Sequence, residues 1–156
     1  SALSRRRSGF DSPSDRHYWN DMNALTISLL ILCYALILGV IFAQVLLTAP
    51  VVFKVLDEQS ASKFLRKIFP RYYLLLFLIS LLALLLSYLF FKSFDIYSAL
   101  TTVCFAFAGY IIIPLTNAAR DRGWDGLFQW LHNFSIFNTV IIMIISIVQI
   151  FRLTTI

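Results

Sequence analysis

The stretch APVVFKVLDEQSASKFLRKIFPRYY (residues 49–73) decides how the chain is read. Two prolines bracket it, Pro50 and Pro70. Proline donates no N–H, and its ring collides with the carbonyl four residues back. A helix arriving at Pro50 is therefore expected to break or bend there, and a new one to start near Pro70. Between them Phe53, Leu56, Ala61, Phe64, Leu65 and Ile68 recur at helical spacing, while Lys54, Asp57, Glu58, Lys63, Arg66 and Lys67 take the opposite face. Asp57 or Ser60 is placed to cap such a helix. A basic amphipathic segment held between two apolar runs is expected to lie along a membrane surface.

Outward from this stretch the chain is apolar. Of its 156 residues 60% are hydrophobic and 13% charged, a balance that leaves a soluble domain with too much exposed apolar surface. Residues 25–47 carry no charge and are long enough to cross roughly 30 Å of hydrocarbon. Further spans are expected at about 72–91, 96–115 and 134–151. The fold class is thus an all-α membrane protein, with four transmembrane helices and a short amphipathic surface helix between the first and second. Residues 1–24 read as a polar N-terminal tail with Tyr18 and Trp19 as interfacial anchors, and 25–156 as the transmembrane domain. Lys92-Ser93-Phe94-Asp95 reads as a very short turn, which sets the second and third spans antiparallel. Ala35, Gly39 and Ala43, four residues apart, form a small stripe that lets another helix approach closely.

The net charge of +5 is modest, and the basic residues cluster at span boundaries. Anionic headgroups are therefore the expected partners, with other membrane-protein subunits, and not nucleic acid. Lysines and arginines divide six to seven between the two faces, so the positive-inside rule assigns no orientation. Nor does the sequence separate a bacterial inner membrane from an organellar one. Cys33 and Cys104 both lie in apolar runs at matching register in parallel spans, and are expected to pack as small hydrophobes at similar depth.

The spans contain no ionisable residue in their interiors, which lowers the weight of proton- or ion-coupled transport. Ser135, Asn138, Thr139, Ser146 and Gln149 make one polar stripe on the fourth span. Gln44 and Asn138 should sit at equal depth from one face, about 9 Å in, where their amides could pair. That face is also the elaborated one. Pro50, Lys54, Pro70, Arg71, Pro114, Asn117, Arg120, Asp121 and His132 all belong to it, and loops on a rigid scaffold are where function concentrates. Arg120 and Asp121 are expected to pin the connector TNAARDRGWDGLFQWLH (residues 116–132) to the first loop.

Four fragments in order, FAQVLLTAPVVF (42–53), FPRYY (69–73), PLTNAARD (114–121) and LHNFSIFN (131–138), resemble the motifs of the transmembrane protein 205 family, small four-helix membrane proteins. The resemblance implies that fold and membrane residence. It points to Pro50, Phe53, Pro70, Tyr72, Pro114, Asn117, Arg120, Asp121, His132 and Asn138; Gln44 and Lys54 join the candidate cluster from the residues themselves. Two function classes follow. The first is a non-catalytic multi-pass protein with no cofactor, an accessory subunit or scaffold of a larger membrane complex. The alternative is a haem- or copper-linked redox protein. His132 is the one histidine adjoining a span, and therefore the single haem-ligand candidate where two axial ligands are commonly needed.

Overall fold

The protein is described from a computed structural model, over residues 13–90 and 93–155. It is all helix: α1 (Pro13–Phe42), a π-helical turn (Ala43–Thr48), α2 (Ala49–Val55), α3 (Glu58–Phe90), α4 (Ser93–Asp121) and α5 (Asp125–Leu153). Four stretches, Met22–Val55, Glu58–Leu89, Phe94–Asp121 and Asp125–Leu153, are long and apolar enough to cross a membrane. The chain is a multi-pass membrane protein. In the bundle α3 packs on α4, α4 on α5, and α1 closes against both α3 and α5.

At Pro50 the α-helical ladder is interrupted, as expected, though the chain stays helical; at Pro70, against expectation, no new helix starts. At Pro50 the chain widens first. Ala49 donates its N–H to the Gln44 carbonyl, five residues back, and the Thr48 hydroxyl bonds the Ala43 carbonyl at 3.2 Å. The wider turn relieves the clash between the proline ring and the preceding turn, so the rod runs on through α2. It stops only at Leu56, whose backbone is extended (φ −103°, ψ 145°). Pro70 and Pro114 lie inside α3 and α4. Beside Pro70 the Arg71 guanidinium donates to the Lys67 carbonyl at 3.2 Å.

The amphipathic stretch is accordingly not a separate short helix. It is the first turns of α3, started by Asp57, whose Oδ2 accepts the Ser60 N–H at 3.0 Å while its carbonyl accepts the Ala61 N–H at 2.8 Å. Two other boundaries move. Residues 13–24, read as tail, are the opening turns of α1, and residues 1–12 lie outside the described residues. Of the turn expected at residues 92–95, Lys92 lies outside the described residues, whereas Phe94 and Asp95 belong to α4.

The core is built from one stripe per helix: Leu30, Tyr34, Ile37 and Ile41 of α1, Tyr73 and Leu76 of α3, Ala106 of α4 and Ile142 of α5. The small stripe of α1 faces the other way. Ala35, Gly39 and Ala43 are exposed, and a Cβ added at Gly39 would meet nothing within 4 Å. The polar stripe of α5 faces inward instead, with Asn138, Ser146 and Gln149 buried. At the end of α4, Gly123 adopts φ +68°, with its N–H on the Arg120 carbonyl and that of Trp124 on the Ala119 carbonyl. This is a Schellman cap, and it turns the chain directly into α5.

Candidate functional site

Between the π turn, α2, α3, α4 and α5 lies a cavity of about 700 Å³, within the usual range for ligand sites. It runs along the helix axes and is graded in polarity. Ser62, Arg66, Asn117, Arg120 and His132 form its outer end; Ile41, Phe42, Val140 and Met143 line its inner end. From His132 to Met143 is eleven residues of α5, roughly 16 Å of helix. Val45, Leu46, Phe53 and Ile136 also line it and are themselves exposed, so one wall is open sideways.

The outer end is held by two ion pairs across the connectors. Arg66 of α3 grips Asp121 of α4 bidentately, at 2.8 and 2.5 Å. Arg120 reaches Glu58 at the start of α3, at 3.7 Å, and stands over the Phe128 ring at 5.7 Å. The connector is thus tied to the first loop through both residues expected to do so. The two contacts differ in quality. A bidentate guanidinium–carboxylate fork fixes geometry, whereas a 3.7 Å pair with a glutamate 93% exposed leaves the Arg120 guanidinium free to find other anions.

Deeper in, Tyr73 hydrogen-bonds the Ser135 carbonyl at 3.1 Å and the Thr139 hydroxyl at 2.9 Å, stitching α3 to α5. Its neighbour Tyr72 is 7% exposed, and its hydroxyl has no partner. Tyr72 also lines the cavity. A buried phenol without a partner costs free energy unless something supplies one.

Of the residues singled out in the sequence, Phe53, Tyr72, Asn117, Arg120 and His132 come together on the cavity wall. His132 is exposed and stacks on Phe128, rings 5.9 Å apart and 10° from parallel. Asp121 stands behind the rim, engaged by Arg66. Pro50 and Lys54 are exposed on α2, and Pro70 is half-buried within α3. Gln44 and Asn138 are both buried but do not pair. Asn138 donates to the Phe105 carbonyl of α4 at 3.0 Å, while Gln44 keeps Nε2 without a partner. Equal depth was not enough, because helix rotation decides which neighbour an amide meets. The cysteines separate for the same reason, Cys33 buried and Cys104 exposed.

The sequence reading missed a polar centre at the opposite end. Asp95, 2% exposed, is paired with Arg152 of α5. Arg152 Nε donates to Gln149 Oε1 at 3.1 Å, Gln149 Nε2 approaches Asp95 at 3.4 Å, and the guanidinium stands 4.7 Å over the Phe94 ring. Gln149 on the polar stripe and Arg152 one turn later were the available signal. Placing Asp95 in a solvated turn concealed its partner.

Fold and site together define a small helical membrane protein with an amphipathic cavity at one end. The match to a family model, Domain of unknown function (DUF4149), spans residues 32–125, and the chain belongs to that family. No curated protein and no solved structure matches the chain.

Proposed function

We propose that the chain is a non-catalytic membrane protein that serves as an accessory subunit or scaffold of a larger membrane complex. The outward-facing stripe Ala35, Gly39 and Ala43 carries this reading. In lipid, helices associate through close packing of small residues, and a helix that presents three of them outward, at one-turn intervals, is shaped for a partner helix. The same rod continues into the π turn and α2, where Leu46, Leu47, Phe53 and Val55 are exposed. Other membrane-protein subunits are the partners this surface fits, with lipid covering the remainder. The likeness of FPRYY and PLTNAARD to the transmembrane protein 205 family belongs to this reading, and bears on fold and membrane residence.

Gly39→Leu tests it. Among the described residues nothing lies within 4 Å of the new Cβ, so the variant is expected to fold with an unchanged melting temperature. Wild-type protein extracted from its native membrane in mild detergent should carry a stoichiometric membrane partner, and the variant should lose it. A wild-type chain that runs alone at its own mass in native-lipid nanodiscs would sink the reading.

A further inference from the structure

We infer that the cavity between the π turn, α3, α4 and α5 is a binding site for an anionic phospholipid, with the phosphate at Arg120 and one acyl chain directed toward Met143. Three observations converge on it. The first is shape: the cavity is long, with its apolar inner end lined by Ile41, Phe42, Val140 and Met143 and its wall open sideways at Val45, Leu46 and Ile136. A chain-bearing molecule can enter such a site from the bilayer without crossing water.

The second is charge. Around the mouth stand Lys63, Arg66 and Arg120 against Glu58 and Asp121, three cations to two anions. Arg66 is committed to Asp121 at both oxygens. Lys63 makes no ion pair among the described residues but does not line the cavity. Arg120 does line it, keeps donors to spare beyond its long contact with Glu58, and is held near the rim by the Phe128 ring. Guanidinium is the side chain best matched to a phosphate.

The third is the orphaned Tyr72 hydroxyl, more than nine-tenths buried and on the cavity wall. It lies six residues below Arg66 on α3, roughly 9 Å deeper at the helical rise. A glycerophospholipid carries acceptors at two levels, phosphate oxygens and, nearer the chains, ester carbonyls. With the phosphate at Arg120 an ester carbonyl reaches the depth of Tyr72, and a small turn of the ring toward the cavity lets it accept the O–H, which is otherwise sealed from the cavity. An inorganic anion satisfies only the mouth, and a simple hydrocarbon only the inner end.

Tyr72→Phe separates a ligand role from a structural one. Without ligand the Tyr72 hydroxyl has only Thr139 near it and no hydrogen bond of good geometry among the described residues, so its removal should change stability little. Lipid retention should nevertheless fall about fivefold, the worth of one neutral hydrogen bond. Arg120→Gln should weaken it about tenfold, as a charge-assisted bond is lost. Arg122→Gln, whose guanidinium lies over Trp124 instead, should change nothing.

The experiment is native mass spectrometry of the full chain in detergent, titrated with phosphatidylglycerol, phosphatidylcholine or inorganic phosphate. Phosphatidylglycerol should be retained in one-to-one stoichiometry in preference to phosphatidylcholine, without displacement by phosphate. Ser62→Trp, a substitution on the half-buried rim, should block it even if Arg120→Gln folds poorly. Equal retention of the two lipids, displacement by inorganic phosphate, or binding undiminished in Tyr72→Phe and Ser62→Trp would overturn the assignment.

Discussion

The Tyr73 ring occupies the space that a Cβ on Gly109 would need. This close approach of α3 to α4 cannot relax, because the Tyr73 hydroxyl is tied to Ser135 and Thr139 of α5 and the ring is 2% exposed. Gly109→Ala should therefore cost about 1–3 kcal/mol, as overpacked cores do, read as a lower melting temperature in detergent. In a Tyr73→Ala background the added methyl should cost nothing further. An undiminished cost there would mean that the ring is not what requires the glycine.

Asp95 and Arg152 make the second prediction. With Asp95 2% exposed, Arg152→Ala leaves a carboxylate in the interior without its cation. The loss should approach the lower end of the roughly 3–5 kcal/mol seen when one partner of a buried pair is removed. The double variant Asp95→Asn, Arg152→Gln should recover much of it. Equal losses in the single and double variants would show that shape, and not charge, holds this end together.

The pH response of the α3 start follows from Asp57. Hydrogen bonds from Ser60, its hydroxyl first and then its backbone N–H, hold this carboxyl below its ordinary value. A depressed folded value means that the cap's contribution is complete above the unfolded value of about 3.9 and is lost as pH falls through the lower folded one. Asp57→Asn keeps a capping oxygen but no titration. The melting temperatures of wild type and Asp57→Asn should therefore draw together as pH falls below about 5 and on through the depressed folded value. Parallel curves across that window would exclude the carboxylate as the cap.

The two rim pairs should respond unequally. Arg66→Ala removes a bidentate grip and is expected to lower stability by up to about 1 kcal/mol, the ceiling for an exposed pair. Arg120→Ala, losing a 3.7 Å contact, should cost less than Arg66→Ala. Arg122→Ala provides the baseline. A larger effect at Arg120 than at Arg66 would reverse the assignment of which pair holds the connector.

The redox alternative is settled by absorption and metal analysis. On the non-catalytic reading the purified chain shows no Soret band, and the double variant Cys33→Ala, Cys104→Ala stays folded with any partner retained. One thiol is buried and the other exposed. A Soret band abolished by His132→Ala would replace the scaffold reading with a haem one.

That the chain holds four apolar runs could be read from the residues, because crossing hydrocarbon imposes an apolar composition on every span. Their lengths could not, since Met22–Val55, Glu58–Leu89, Phe94–Asp121 and Asp125–Leu153 all outrun the expected 25–47, 72–91, 96–115 and 134–151. Most of the expected connector 116–132 is helical. The cap at Asp57 and the ties through Arg120 and Asp121 could also be read, since capping and ion pairing depend on residue types near a chain reversal. The prolines misled. Their local preference ends a helix, but the chain stays helical through a π turn at Pro50 and through Pro70 within α3, which no local rule anticipates.

What the tertiary structure alone decided is the rotation of each helix about its axis. A period of 3.6 residues names the faces of a helix, and which face meets which neighbour depends on packing across the whole bundle. That choice turned Ala35, Gly39 and Ala43 outward, gave Asn138 to Phe105 and not to Gln44, and joined Asp95 to Arg152. It also gathered Tyr72, Asn117, Arg120 and His132, from three helices, around one cavity. Sequence spacing specifies positions along a helix; a cavity is a relation between helices, and exists only once they are packed.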